Sequence, residues 1–461
     1  MMWRLMKRYC GKSLRTLWHN IAKFFMMKEI VQLYPPRKGI NGVISLAGSK
    51  SITNRALIMA ALATGTTHLR HASCSEDTVV LLEALKALGV KCELKSEECL
   101  ITVEGCGGVF VNLKKVDLQI GAAGTAARFL TALIAAIAGS EITISGNQRM
   151  KERPIDPLVQ ALRDLGAEIV YQEREGSLPL LVRGKAFQKR RVAIDGSVSS
   201  QYISALLLIS PLFSDGLELE IRGDLVSRSY IDMTIAGMAQ FGVSVVNDNY
   251  RTFSVERGQT YQSQDLFIEG DASGASYFWG IAALSGGTVK VLNIDLNSVQ
   301  GDVHFAELLG EMGCCVTHGN DGHSDWIAVS GRSPLSAITA DMQLMPDTAQ
   351  TLAVIATCCE GVSKISGLST LRVKETDRIH ALVTELQRLG IKVKAYDDTL
   401  EIRGGTIKGA CIKTYDDHRM ALAFAMLGAK VEGIKIEDPT VVRKSLPSFW
   451  DDLKSLGVEV G

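Results

Sequence analysis

The sequence predicts an α/β protein of two domains, assembled from six copies of one small unit, and three observations predict it. At 461 residues the chain exceeds the size at which a single hydrophobic core stops growing. A helix-stopping glycine followed by a β-type stretch recurs six times along it. Ahead of these sites lie helical stretches that are apolar all round, which places them inside a domain and not on its surface.

The six helix ends are Leu85-Lys86-Ala87-Leu88-Gly89-Val90, Leu162-Arg163-Asp164-Leu165-Gly166-Ala167, Met238-Ala239-Gln240-Phe241-Gly242-Val243, Leu309-Gly310-Glu311-Met312-Gly313-Cys314, Leu386-Gln387-Arg388-Leu389-Gly390-Ile391 and Leu453-Lys454-Ser455-Leu456-Gly457-Val458. Their glycines are spaced 77, 76, 71, 77 and 67 residues apart, too regular for chance and too long for a common solenoid. Each copy reads as an apolar helix, a turn glycine, a strand, a loop, an amphipathic helix ending in the glycine above, and a further strand. The turn glycines are Gly65, Gly139, Gly216, Gly287, Gly361 and Gly428. Three buried helices per domain follow.

A polar or glycine-rich stretch precedes each buried helix: Gly48-Ser49-Lys50-Ser51, Gly121-Ala122-Ala123-Gly124-Thr125, Gly196-Ser197-Val198-Ser199-Ser200-Gln201, Gly270-Asp271-Ala272-Ser273, Met345-Pro346-Asp347-Thr348 and Tyr415-Asp416-Asp417-His418-Arg419. Ser, Thr and Asp there serve as N-caps. Capping does not explain Lys50, Arg55, Arg128 and Arg419, because cations at a helix N-terminus oppose the helix dipole. Bound anions resolve the conflict. Three helix N-termini per domain, aimed at one cleft, would bring free N–H groups and basic side chains onto a phosphate or carboxylate.

Composition narrows the function. Fifty basic and fifty acidic residues give zero formal charge, which removes the long-range pull of a nucleic-acid or anionic-membrane binder. The ten cysteines include the pairs Cys314-Cys315 and Cys358-Cys359 but no Cys-x-x-Cys, so they read as reduced thiols of a cytoplasmic protein. His418 beside Asp416 and Asp417 lacks a spaced partner, and no metal is expected. Residues 1–26 carry six cations and no acid, the composition of a basic amphipathic leader, but lack a continuous apolar core; with a second start at Met27, a mis-called start or a disordered extension is expected ahead of a targeting role. No apolar run reaches the roughly 18 residues that cross a bilayer.

Three further loops concentrate charge. Gly146-Asn147-Gln148-Arg149-Met150-Lys151-Glu152-Arg153-Pro154 precedes a helix starting near Pro154. Leu371-Arg372-Val373-Lys374-Glu375-Thr376-Asp377-Arg378 would put Lys374 and Arg378 four apart on one helical face, and Pro439 to Pro447 holds the pair Arg443-Lys444 in the equivalent loop of copy six. Read together, these strings resemble the 5-enolpyruvylshikimate-3-phosphate synthases of the enolpyruvyl transferase family. The matching motifs, in order, are Gly48-Ser49-Lys50-Ser51-Ile52-Thr53-Asn54-Arg55-Ala56-Leu57, Arg149-Met150-Lys151-Glu152-Arg153-Pro154-Ile155, Asp195-Gly196-Ser197-Val198-Ser199-Ser200-Gln201, Glu269-Gly270-Asp271-Ala272-Ser273, Arg372-Val373-Lys374-Glu375-Thr376-Asp377-Arg378 and Asp417-His418-Arg419-Met420-Ala421. The match runs from about residue 30 to the C-terminus.

The resemblance implies two domains of three βαβαββ units around buried parallel helices, the inside-out α/β barrel of that family, with the active site in the cleft between them. One domain would span 49–268 and the other 27–48 with 269–461. It implies transfer of the carboxyvinyl group of phosphoenolpyruvate to shikimate 3-phosphate, in aromatic amino-acid and chorismate biosynthesis, by a protein for which a monomer suffices and no cofactor is needed. Shikimate 3-phosphate would be held by Lys50, Ser51, Arg55, Ser199, Ser200, Gln201, Ser227, Asp347 and Lys374. Phosphoenolpyruvate would be held by Lys50, Gly124, Arg153, Gln201, Arg378, Arg419 and Lys444. Asp347 would take the hydroxyl proton, while Glu375 and Lys50 would serve the methylene carbon and the leaving phosphate. Use of Glu375 as an acid would require desolvation by domain closure.

The chain departs from the family pattern at Ala122, often Asn; Phe129, often Pro; Thr370-Leu371, often Asn-Trp; and Ser445-Leu446, often Thr-Phe. The change at Thr370 puts one contact to the shikimate ring in doubt. Phe129, behind Gly124, is expected to alter affinity for phosphoenolpyruvate mimics such as glyphosate. The sister carboxyvinyl transferase acting on UDP-N-acetylglucosamine uses a loop cysteine that Gly146 to Pro154 does not contain. A non-catalytic RNA-end-binding protein is disfavoured by the neutral charge.

Overall fold

A computed structural model describes residues 29–36, 39–110 and 114–461; the extension expected over residues 1–26 lies outside them. Among the described residues the helices are, in chain order, α1 (Lys50–Leu62), α2 (Glu76–Ala87), α3 (Gly124–Ala136), α4 (Asp156–Leu165), α5 (Ser200–Leu208), α6 (Ser229–Gln240), α7 (Ala272–Ser285), α8 (Phe305–Glu311), α9 (Ala349–Ala356), α10 (Arg378–Arg388), α11 (His418–Ala425) and α12 (Phe449–Ser455).

Their alternation follows from hydrophobic patterning. The odd-numbered helices are apolar on all sides and almost wholly buried: every residue of α9 and α11 is inside, and α3 exposes part of only two of its thirteen positions. The even-numbered helices bury one stripe, as α4 does with Leu158, Val159, Ala161, Leu162 and Leu165. Each even-numbered helix ends at one of the six recurring glycines, and all six adopt left-handed φ between 85° and 114°. A Cβ is strained there, so the C-terminal turn of every copy requires glycine.

Among the described residues the strands form six four-stranded sheets of one design, in which the second strand pairs parallel with the first and antiparallel with the third, and the fourth pairs antiparallel with the third; Leu335–Ser336 and Cys359–Glu360 form a separate parallel pair. Arg191–Asp195, Leu217–Arg222, Thr252–Val255 and Val246–Asp248 are one such sheet, and Thr339–Asp341, Val362–Ser366, Leu400–Arg403 and Lys392–Ala395 another. With their helices these make six βαβαββ units. Three sheets borrow a strand from far along the chain. Thr64–Arg70 takes Asp265–Phe267 as its parallel neighbour, Thr288–Leu292 takes Asn41–Ser45, and Lys435–Glu437 takes Ile30–Tyr34 as its antiparallel one. Two expected turn glycines serve this borrowing and are not left-handed. A Cβ on Gly287 would stand 1.8 Å from the Ile40 carbonyl oxygen, and one on Gly428 2.4 Å from Leu33 Cβ.

Buried apolar residues gather in two clusters, one from Ala56 to Ile268, the other from Leu33 to Leu46 together with Ala272 to Val458. The chain passes between them twice, and the two passages are hydrogen-bonded to each other. Ser49 N donates to Glu269 O at 2.8 Å, Asp271 N donates to Ala47 O at 3.2 Å, and Gly48 bridges to Gly270. Gly48 has no room for a side chain, since its Cβ would lie 1.8 Å from the His71 carbonyl oxygen. Gly48→Ala is therefore expected to lower stability by about 2 kcal/mol, the range of backbone-strain substitutions. Urea denaturation checks this, and an unchanged midpoint would show that the His71 segment relaxes at little cost.

Candidate active site

The odd-numbered helices aim their N-termini at the gap between the two clusters. Ser49 caps α1 by accepting from Ile52 N, Ser199 caps α5 by accepting from Gln201 N, and Asp417 caps α11 by accepting from Arg419 N. Asp271 caps α7 with Oδ1 and with Oδ2 accepts Lys50 N from the opposite cluster at 3.1 Å. Asp347 sits in the 3-10 turn Pro346–Thr348 that leads into α9. Between these termini lies a cavity lined on one side by Lys50, Ser51, Arg55, Gly124, Arg153, Ser199, Ser200, Gln201 and Ser227, and on the other by Asp347, Lys374, Glu375, Arg378 and Arg419.

Thus every residue assigned from the sequence to a substrate or to proton transfer lines one cavity, except Lys444; Arg128, also expected near an anion, lies outside it and donates to Gly124 O at 3.2 Å and Pro154 O at 2.7 Å. The Lys444 side chain stands just behind the wall, donating to Ala122 O at 2.6 Å and pairing with Glu375 Oε1 at 3.2 Å and Asp77 Oδ1 at 3.7 Å. Asp77, Thr125, Val198, Tyr230, Thr370 and His418 complete the lining. Asp77 and Tyr230 have no counterpart among the residues singled out from the sequence. Asp77 looks like an ordinary acid in a helix's first turn, yet it ion-pairs Lys50 at 3.1 Å.

Charge dominates the cavity. Arg378, 1% exposed, pairs with Asp417 at 2.7 Å, Glu375 at 2.9 Å and Asp347 at 3.3 Å. Arg419 holds the other oxygen of Asp347 at 2.7 Å, and Tyr230 donates to that oxygen at 3.0 Å. Burial pushes the Asp347 carboxyl up, but Arg419, Lys374 and Arg378 outweigh it and hold it well below the ordinary range. Burial likewise opposes ionisation of Glu375, and Lys444, Arg153 and Arg378 reverse the outcome. Desolvation by closure therefore does not make Glu375 an acid, because it comes with three cations. Burial pushes Lys374 down, and it keeps His418 neutral, with neither ring nitrogen bonded to another protein group.

Lys374 and Glu375 do not share a helical face with Arg378, as the spacing suggests. α10 starts at Arg378, with Asp377 accepting from His380 N, and Lys374 ends the preceding 3-10 turn Ser369–Val373. The extended break lets Arg149, from the other cluster, donate to the carbonyls of Lys374 at 2.9 Å and Glu375 at 3.0 Å. Gly124 leaves room for a guanidinium: a Cβ there would lie 2.7 Å from Arg153 Nη1, so a larger residue would displace that side chain. Ser227 adopts a left-handed φ of 54°, a strained conformation of the kind found at functional sites.

Arg55 is buried without a carboxylate partner, and burial lowers it to about 10. Four of its five N–H donors are used by Thr234 Oγ1, Ser51 O, Ser204 Oγ and Tyr230 O, leaving one Nη1 hydrogen. Its guanidinium lies 5.6 Å from the Phe129 ring centroid and 5.8 Å from that of Tyr230. Phe129 thus touches the arginine expected to bind shikimate 3-phosphate. Thr370 presents a buried hydroxyl without a protein partner to the same cavity.

A closed cleft between two α/β units, with helix N-termini and six basic side chains facing three carboxylates, defines an enzyme acting on small anionic molecules. The comparisons narrow the class. The EPSP synthase (3-phosphoshikimate 1-carboxyvinyltransferase) family matches residues 35–453. The 3-phosphoshikimate 1-carboxyvinyltransferase of Sulfurovum sp. is 44% identical over 423 residues, 91% of this chain and 98% of that protein. That of Photobacterium profundum is 44% identical over 91% of this chain and 97% of its own length. A solved EPSP synthase from Acinetobacter baumannii superposes with TM-score 0.79 at 26% identity, covering 94% of this chain and 99% of that one. The chain belongs to the EPSP synthase family.

The depressed carboxyls make stability depend on pH. Asp347 and Glu375 bind protons more weakly folded than unfolded, so their contribution is complete above the unfolded value near 4 and is lost as pH falls below it. The urea midpoint is expected to fall between about pH 5 and pH 3, and to fall less steeply in Asp347→Asn. Equal slopes would show that Asp347 is not held ionised by its arginines.

Proposed function

We propose that this protein transfers the carboxyvinyl group of phosphoenolpyruvate to the 5-hydroxyl of shikimate 3-phosphate, releasing phosphate. The observation that carries the proposal is the pair of ionised carboxylates, Asp347 and Glu375, held in one cavity by cations suited to a phosphate and a carboxylate. The same activity is in the names of its curated relatives. The family's sister reaction on a nucleotide sugar is disfavoured by the cysteine-free loop Gly146 to Pro154.

In the first step the 5-oxygen bonds to C2 of phosphoenolpyruvate, its proton leaves, and a proton adds to C3, giving a tetrahedral intermediate. In the second, the C2–O bond to phosphate breaks as C3 returns a proton. Asp347, ionised and acceptor-only, starts in the state required to take the hydroxyl proton. Its basicity is low while Arg378 and Arg419 face it alone. Bound phosphoenolpyruvate would share those cations and add negative charge, which raises the proton affinity of Asp347 and Glu375 together. Glu375 would thereby be able to carry the C3 proton only when substrate is present. Lys50, paired with Asp77, would neutralise charge on the leaving phosphate. Arg55 would offer its remaining donor to shikimate 3-phosphate, with Ser199, Ser200 and Gln201 at the α5 N-terminus.

Contacts across the cleft, from Arg149 to Lys374 O, Lys444 to Ala122 O and Ser229 Oγ to Leu344 O at 2.6 Å, would have to open to admit substrates. We also propose that the protein works as a monomer in the cytoplasm. One chain supplies both walls of the cavity, and no described helix is long and apolar enough to cross a membrane.

Phosphate release from phosphoenolpyruvate tests the reaction. It is expected with shikimate 3-phosphate, not with UDP-N-acetylglucosamine, and to fall at least about 100-fold in Asp347→Ala. Release with the nucleotide sugar alone would reject the assignment. Gly124→Ala should raise KM for phosphoenolpyruvate by displacing Arg153. Phe129→Leu should raise KM for shikimate 3-phosphate, by about 2- to 10-fold for a lost cation–π contact. Inverted effects on the two KM values would mean that Phe129 acts through Gly124 instead.

A further inference from the structure

Asp302 is a buried carboxyl that the chemistry above leaves unused. It belongs to the 3-10 turn Gly301–His304, which packs against α7 and against the turn Pro346–Thr348 carrying Asp347. Its side chain is 6% exposed. Ser273 Oγ, in the first turn of α7, donates to its Oδ2 at short range. The charged and titratable groups facing it are Asp347 from the turn, Arg419 from α11, Tyr230 from α6 and Asp271 from the α7 cap. Arg419 commits its close contacts elsewhere, at 2.7 Å to Asp347 and 3.1 Å to the Tyr277 hydroxyl. Asp302 thus has no ion pair of its own: Arg419 is paired with Asp347, and both act on Asp302 only through space. Neighbours approach the turn closely at Gly301, where a Cβ would lie 2.6 Å from Leu344 O and from Ser229 Cβ.

We propose that Asp302 is a positioning residue for the transfer reaction, a second carboxyl behind Asp347 that sets how strongly Asp347 holds a proton by supplying or withholding one negative charge. This rests on the function proposed above. Burial, then the charge of Asp347, push the Asp302 carboxyl up to about 7. Below that pH Asp302 is neutral and Arg419 serves Asp347 alone. Above it the added negative charge, close behind the turn that carries Asp347, opposes ionisation of Asp347 and makes it the stronger base. The two carboxyls titrate as a coupled pair, so the effect is read from the pair's pH dependence and not from either group alone.

The test is the pH profile of kcat/KM for phosphoenolpyruvate, followed by phosphate release at saturating shikimate 3-phosphate, for wild type, Asp302→Asn and Asp302→Glu. Both substrates titrate near neutrality, but the ratio of wild type to Asp302→Asn cancels their contribution. That ratio should rise several-fold as pH passes about 7, and Asp302→Glu should restore the rise. A ratio independent of pH overturns the proposal while leaving the reaction intact. A wild type inactive with shikimate 3-phosphate rejects the reaction and this role with it. Should circular dichroism show Asp302→Asn unfolded, Ser273→Ala decides. Loss of the hydroxyl that favours the ionised form should move the rise in the wild-type profile to higher pH, and an unmoved profile overturns the proposal.

Discussion

One guanidinium holds the carboxylate-bearing side of the cavity together. Arg378 joins Asp347, Glu375 and Asp417, which come from a 3-10 turn, an extended loop and a helix cap, and its charge is strongly favoured by all three. Such a cluster survives burial only because each charge has partners. Removing one member of a buried pair commonly costs about 3 to 5 kcal/mol. The same arrangement favours the ionised form of both carboxyls. In the proposed reaction an anionic substrate would compete for the arginines, so that binding and activation of the carboxyls would be one electrostatic event.

That cluster forms only while the two hydrophobic units face each other. The two adjacent chain crossings at Gly48 and Gly270 fix the axis of approach. Arg149, Lys444, Tyr230 and the backbone N–H of Lys50 then reach across it to partners on the other unit. Each of these contacts satisfies a group in or beside the cavity, so closure and assembly of the charged site cannot be separated. The helix N-termini add donors that need no rearrangement, since the backbone already points them inward.

Phe129 shows how a departure from a family pattern acquires meaning from its neighbours. Its position behind Gly124 suggested an effect on the phosphoenolpyruvate side. Its ring instead lies against Arg55, whose remaining donors are almost all spent on the protein. Space around Gly124 is limited by Arg153, a different arginine on a different loop.

The sequence by itself determined the repeating unit, the buried helices and the basic loops ahead of them, because each depends on local pattern. A left-handed helix end needs glycine, a buried helix needs apolar residues on every side, and a helix start needs a capping side chain. The motif strings carried the candidate site residues for the same reason. Only the tertiary structure decided which strands are exchanged, as Asp265–Phe267 joins Thr64–Arg70 and Ile30–Tyr34 joins Lys435–Glu437. Asp77 and Tyr230 became visible as cavity residues only then, since they approach Lys50 and Asp347 through space and not along the chain. The ionisation of Glu375 was also decided there. Burial and three nearby cations act on it in opposite directions, and only distances say which is stronger.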